Sequence, residues 1–237
     1  MTPTEEFAVA ISVEGTLLAI ALGLILRSRW RLCWAFAAYI PVVLIGNTLV
    51  SWWPKHFHVY WFWMGKQVAY DVLKLGIALE VAWRTFRIFP GARAMVRKVV
   101  LLILLITTAM VWAAALDNAG SWFLTMSGHI HPRVVNATTW ILAATIGLAY
   151  FYRVPLHPFH TGLISSLAGY LAVFGTLLRL EGLYGWAAQP YLNALDPAAY
   201  LLLTVWWARI AWRPDSEVAL AHAEVLRKLE LRAASCG

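Results

Sequence analysis

Six polar side chains inside one apolar segment are the residues of this chain best placed to do chemistry. Between Val59 and Arg84 stand Lys66, Gln67, Tyr70, Asp71, Lys74 and Glu80. A charge near the middle of a bilayer costs at least ~2.5–3.5 kcal/mol, so such residues face a bundle interior or a wet cavity. At 100° per residue, Lys66, Gln67, Tyr70, Asp71 and Lys74 fall within an arc of about 140°, on one helix face. That face could hold a ligand, an ion or a proton. The competing reading is mutual neutralisation: Asp71 and Lys74, three apart, can pair along the helix, and Glu80 with Arg84 can do so four apart.

Other spans carry polar groups at matching depth. Glu14 lies about seven residues into the first span, ~10 Å deep at a 1.5 Å rise per residue, level with Lys66. Glu14 is therefore expected to approach Lys66, and the two could pair between helices. Asn47 sits at a similar level in the second span, and Asn136, Thr138 and Asp196 complete an outer polar layer. The expected ligand-binding set is Glu14, Asn47, Lys66, Gln67, Tyr70, Asp71 and Lys74, with Asp71 and Lys74 at the floor of an outward-opening vestibule.

Two His-x-His pairs, His56/His58 and His129/His131, fall in connections on the same side. In an extended segment residues two apart point the same way, so each pair could offer two nitrogens to zinc or copper. No carboxylate or thiol completes a ligand pattern, and interfacial histidines beside aromatics are the alternative.

The elements that must position these groups are long apolar helices. The chain has 237 residues, 61% hydrophobic, with a mean hydropathy of +0.67 and 13% charged residues. A soluble domain has about 25% charged residues. The shortfall and the repeated apolar runs predict an all-α, polytopic membrane protein with seven spans near 7–26, 32–52, 59–83, 99–116, 134–152, 161–179 and 191–212. Residues 1–213 would form that bundle and 214–237 a short cytoplasmic amphipathic helix.

Of 19 basic residues, 14 cluster at one set of connections: Arg27 to Arg31, Arg84 to Lys98, Arg153, and Arg209 onward. Lys55, Arg133 and Arg179 lie on the other side. This asymmetry predicts an outside N-terminus and a cytoplasmic C-terminus. The net charge of +7 is thus a topology signal and not a nucleic-acid footprint. The localisation expected is a multi-pass protein of a bacterial inner (plasma) membrane. Both cysteines, Cys33 and Cys236, fall on the cytoplasmic side, so no disulfide is expected. The acidic start, MTPTEE, lacks a basic n-region, so the first span is expected to remain in the mature protein.

The fourth span is the most uniformly apolar and is expected to be the most lipid-exposed. The sixth carries the small-xxx-small pairs Gly162/Ser166 and Ser165/Gly169, which favour close helix packing. Asp196-Pro197 reads as a helix cap followed by a first-turn proline, or as a break in a helix begun near Tyr191.

A retinal pigment requires a lysine in the last span, and beyond Lys98 the only lysine is Lys228; that cofactor is argued against. No hydrolase signature is present, and an enzyme is not the favoured reading. In topology alone, seven spans with N outside resembles receptors and bacterial sensor modules, a likeness that transfers no residues. The leading expectation is a sensor or receptor-like module that binds a small polar or anionic ligand from outside and signals through a separate cytoplasmic protein. The alternatives are a small proton- or ion-coupled transporter, and an accessory or metal-binding subunit of a larger membrane complex.

Overall fold

The computed structural model describes residues 3–87, 90–117, 130–154 and 156–214, and every regular element among them is helical. The α-helices are α1 (Pro3–Leu26), α2 (Trp34–Trp52), the single turn α3 (Pro54–Phe57), α4 (Tyr60–Phe86), α5 (Pro90–Asp117), α6 (His131–Phe151), α7 (Pro158–Tyr184) and α8 (Gln189–Trp212). Short 3-10 turns occupy Arg29–Arg31 and Gly185–Ala188. The proposed tail helix lies, from residue 215 on, outside the described residues.

Five segments are long and apolar enough to cross a membrane: Ala8–Leu26, Trp34–Trp52, Ala94–Val111, His131–Phe151 and Pro158–Tyr184. That is the signature of an integral membrane protein. The lipid-facing character shows on their surfaces. On α5, Leu101, Leu102, Leu105, Ile106 and Met110 are all more than half exposed, as expected of the most uniformly apolar span. Helices α4 and α8 carry more polar residues, and of these Lys66, Gln67, Lys74 and Asp196 face the interior of the ring.

Consecutive packing runs α1–α2–α4–α6–α7–α8 and closes from α8 back to α1, with α5 applied outside against α4 and α6. The ring has two unlike ends. At the end holding Arg29, Glu80 and Arg213, here called the basic end, side chains satisfy helix termini. A helix leaves its first N–H groups and last C=O groups unpaired. Arg29, 4% exposed, donates to the carbonyls of Ile210 and Arg213 at the end of α8. Glu80 of α4 caps α2 from a distance: its carboxylate accepts from the N–H groups of Trp34 (3.0 Å) and Ala35 (2.7 Å). The same carboxylate pairs with Arg84 at 2.6 Å, as expected from their spacing. His160 reaches the Leu32 carbonyl at 2.9 Å.

Above this layer Trp207 fills the ring's centre. It is 1% exposed, packs edge-on against Phe36 at 5.0 Å and Tyr39 at 5.9 Å, and donates from its indole to Ser166 Oγ at 3.0 Å. The Gly162/Ser166 pair therefore serves the α7–α8 contact: a Cβ on Gly162 would lie 2.6 Å from Ile210 Cδ1. Ser165, by contrast, is exposed.

The last helix corrects one expectation. No cap or break occurs at Asp196-Pro197; α8 runs unbroken from Gln189 through Pro197. Proline withdraws one backbone donor, here the one that would serve the Asn193 carbonyl. Asp196 is free of capping duty because its side chain is held by another helix.

Candidate functional site

The end of the ring opposite the basic end opens into a cavity of about 590 Å³. Pockets that hold small molecules span about 300–1,000 Å³. Helix α1 contributes Glu14, α2 Asn47, α4 Lys66, Gln67 and Lys74, and α8 Asp196. Helical spacing explains the α4 contribution: Lys66, Tyr70 and Lys74 recur every four residues and so stand above one another on one face. Tyr39, Trp63, Tyr170, Phe174 and Tyr200 supply aromatic walls.

Six of the seven residues expected to bind ligand line this cavity. Asp71 does not. It sits behind the wall, 7% exposed, turned toward α6. There its Oδ2 accepts from His131 Nδ1 at 2.6 Å and its Oδ1 from the Gln67 amide at 3.3 Å. Lys74 Nζ stands 3.8 Å from Asp71 Oδ1 and 5.8 Å from the centre of the Phe174 ring. Asp71 is thus a positioning residue: it orients Gln67 and balances the charge of Lys74, while those two side chains meet the cavity.

Asp196 receives the Tyr170 hydroxyl at 3.0 Å, and Tyr170 stacks on Phe174, 5.9 Å between centroids. Tyr39 and Tyr200 share a hydroxyl contact at 3.4 Å beneath them. On the α2 side Tyr70 donates to Asn47 Oδ1 or the Val43 carbonyl, each at 3.3 Å. Gly46 permits this approach, because a Cβ there would lie 2.5 Å from the Tyr70 oxygen and 3.1 Å from Lys66 Cδ.

The anticipated Glu14–Lys66 ion pair does not form. Both line the cavity, yet Glu14 Oε1 is buried with no hydrogen-bond partner. Lys66 Nζ lies over the Tyr70 ring, 5.8 Å from its centroid. Of the remaining outer-layer residues, Thr138 is buried and bonds back to the Val134 carbonyl at 2.8 Å. Asn136 faces α7 near Gly175.

The His56/His58 pair does not align. His56 belongs to the helical turn α3 and His58 follows it, both exposed. Residues two apart on a helix are turned about 200° from one another, so the extended geometry that would have aligned them is replaced. His129 lies outside the described residues, and His131 is committed to Asp71. Among the described residues no group of three or more His, Cys, Asp or Glu side chains gathers as a metal site.

Sequence reasoning missed His131 as the partner of Asp71, and with it the Tyr170–Asp196 bond. The helix-start proline Pro132 was the available signal for the first, since proline in a first turn opens a helix and would have drawn His131 into the bundle. Tyr170, a lone hydroxyl in an apolar run, was the signal for the second. No family model matches this chain, and no curated protein or solved structure does either.

Proposed function

We propose that this protein is a seven-helix membrane module that takes a small polar ligand from outside the cell into the cavity and reports its presence to a separate cytoplasmic protein. The single observation that supports this reading is the open cavity of roughly 590 Å³ at one end of the helix ring, with Glu14, Asn47, Lys66, Gln67, Lys74 and Asp196 on its otherwise apolar and aromatic walls. In hydrocarbon, polar groups that line a cavity are expensive unless they meet a ligand or water.

The seven spans follow if α4 and α8 cross with their polar faces turned inward, joined by the five apolar segments. The positive-inside asymmetry then directs the cavity outward and the basic end to the cytoplasm of a bacterial inner, or plasma, membrane. The ends suit that division. Bonds from Arg29, Glu80 and His160 lock the basic end together. A carrier would have to open this end in each cycle, which makes a receptor the better reading. Transmission would pass to a partner at the basic surface.

The test is a thermal-shift screen of the purified protein against a library of small polar and anionic metabolites, repeated on Lys74→Ala and Asn47→Leu. At least one compound is expected to raise the unfolding midpoint of the wild type and to lose its effect in a variant. A compound whose stabilisation both variants retain in full would remove the cavity as the ligand site.

A further inference from the structure

Most ionised groups inside the ring are answered by a protein partner. Asp71 has Lys74 and His131, Glu80 has Arg84, and Asp196 receives Tyr170. Two groups facing the cavity are not answered in this way. Glu14, on α1, places a buried carboxylate oxygen where no described protein group donates to it. Lys66, on α4, makes neither an ion pair nor a hydrogen bond among the described residues, and its ammonium rests over the Tyr70 ring. The two share one cavity without joining each other.

The signs matter. A ligand with a single negative charge would satisfy Lys66 and leave Glu14 uncompensated; a single positive charge would do the reverse. Charges out of water require a partner, and a molecule that carries one of each sign answers both walls at once. We propose that the cavity binds a zwitterionic small molecule, with its cationic group on Glu14 and its anionic group on Lys66. The proposal rests on the ligand-binding reading above and narrows its ligand class.

Two features fit this chemistry. A side cleft of about 140 Å³ between α1 and α2 shares Glu14 and Ser51 with the main cavity, leaving room for substituents on the cationic end. The rings of Tyr39, Trp63 and Tyr200 lie on the same walls, and aromatic faces attract cations through their quadrupole. Asn47 and Gln67 provide amides for the polar middle of the molecule.

The experiment compares matched trios by thermal shift on the full-length protein in detergent. Each trio holds a zwitterion, its deaminated acid and its decarboxylated amine; the zwitterions are the common amino acids, the straight ω-amino acids, and glycine betaine, which is matched with acetate and tetramethylammonium. At least one zwitterion is expected to bind about tenfold or more tightly than both its acid and its amine, since a site built around a partner rejects analogues that lack it. In Glu14→Gln the preference over the acid should vanish, and in Lys66→Met the preference over the amine. The wild-type comparison needs no variant, so a misfolded mutant leaves it intact. The proposal is overturned if an acid or an amine binds as well as its zwitterion, in which case ligand binding itself survives. It is also overturned if no zwitterion moves the midpoint while the broader polar library yields a hit.

Discussion

Replacing Asp71 by alanine removes the acceptor of His131 at 2.6 Å, that of Gln67 at 3.3 Å, and the countercharge 3.8 Å from Lys74. The ammonium left behind is only 6% exposed. Removing one member of a buried pair costs about 3–5 kcal/mol, because the other remains buried and unpaired. Lys74→Met should cost less, about 1–2 kcal/mol, because Asp71 keeps His131 and Gln67 as donors. If the pair is a true ion pair, the double variant will be less destabilised than the sum of the two. Two charges about 4 Å apart attract by about 4 kcal/mol at an effective dielectric of ~20. Ordinary side-chain hydrogen bonds between membrane helices couple by only ~0.6 kcal/mol on average and reach ~1.7. The assay is a double-mutant cycle on reversible unfolding in mixed micelles, followed by the fluorescence of the 14 tryptophans. A coupling above ~1.7 kcal/mol identifies the ion pair. Additivity within about 0.5 kcal/mol refutes it, and with it the idea that Asp71 positions the wall lysine.

Gly46→Ala puts a Cβ 2.5 Å from the Tyr70 hydroxyl. It should destabilise by about 1–3 kcal/mol, as overpacking does, and Tyr70→Phe, which deletes that oxygen, should recover most of the loss; no recovery in the double variant would show that the clash lies elsewhere. Cys33, at the start of α2, has its thiol pushed from 9.0 up to about 12 by burial, with the Glu80 carboxylate beside it adding to the shift. Three units leave about a thousandfold less thiolate at neutral pH. In a Cys236→Ser background, N-ethylmaleimide should therefore label the folded protein far more slowly than a free thiol, and faster as pH rises toward 12. Labelling at the free-thiol rate near pH 7 would contradict the burial.

Five of the helices were legible because each carries a long apolar run. The expected third span, 59–83, became the helix Tyr60–Phe86, and the one-face arc of Lys66, Tyr70 and Lys74 followed directly from a 100° step. Partnerships between distant residues were not legible. His131 stands 60 positions from Asp71, and nothing in local spacing ties a histidine at a connection to a carboxylate in another span. The divergence turned on a few residues at a boundary: α6 begins at His131, whereas the expected span began at 134. Asp196 shows the opposite failure. Its local signature, an acid before a proline, is that of a cap, but the Tyr170 hydroxyl at 3.0 Å claims it, and tertiary packing overrides the local preference. Glu14 and Lys66 do reach one cavity. Depth alone does not fix the angle at which two helices present their side chains across a ring.

The link between the two ends is the step that gives the architecture a use. The cavity wall at Tyr200 meets Tyr39, and Tyr39 packs on Trp207 at 5.9 Å. Trp207 in turn packs on Phe36, which meets Phe159 at 6.1 Å, and the adjacent His160 holds the Leu32 carbonyl in the α1–α2 connection. Packed interiors transmit displacement because they contain few voids to absorb it. On the receptor reading proposed above, a ligand that shifts Tyr200 would press on this aromatic column, which ends at the turn that carries Arg29 and, through Glu80, the start of α2. A ligand changes that turn only by the difference between its affinities for two states. Lys74 is held against Asp71 by a single contact at 3.8 Å, longer than the 2.6 Å contact that His131 makes with the same carboxylate. An anionic group held on Lys66 would also attract the Lys74 ammonium within the same cavity and so compete with Asp71 for it, making the pair a natural source of such a difference.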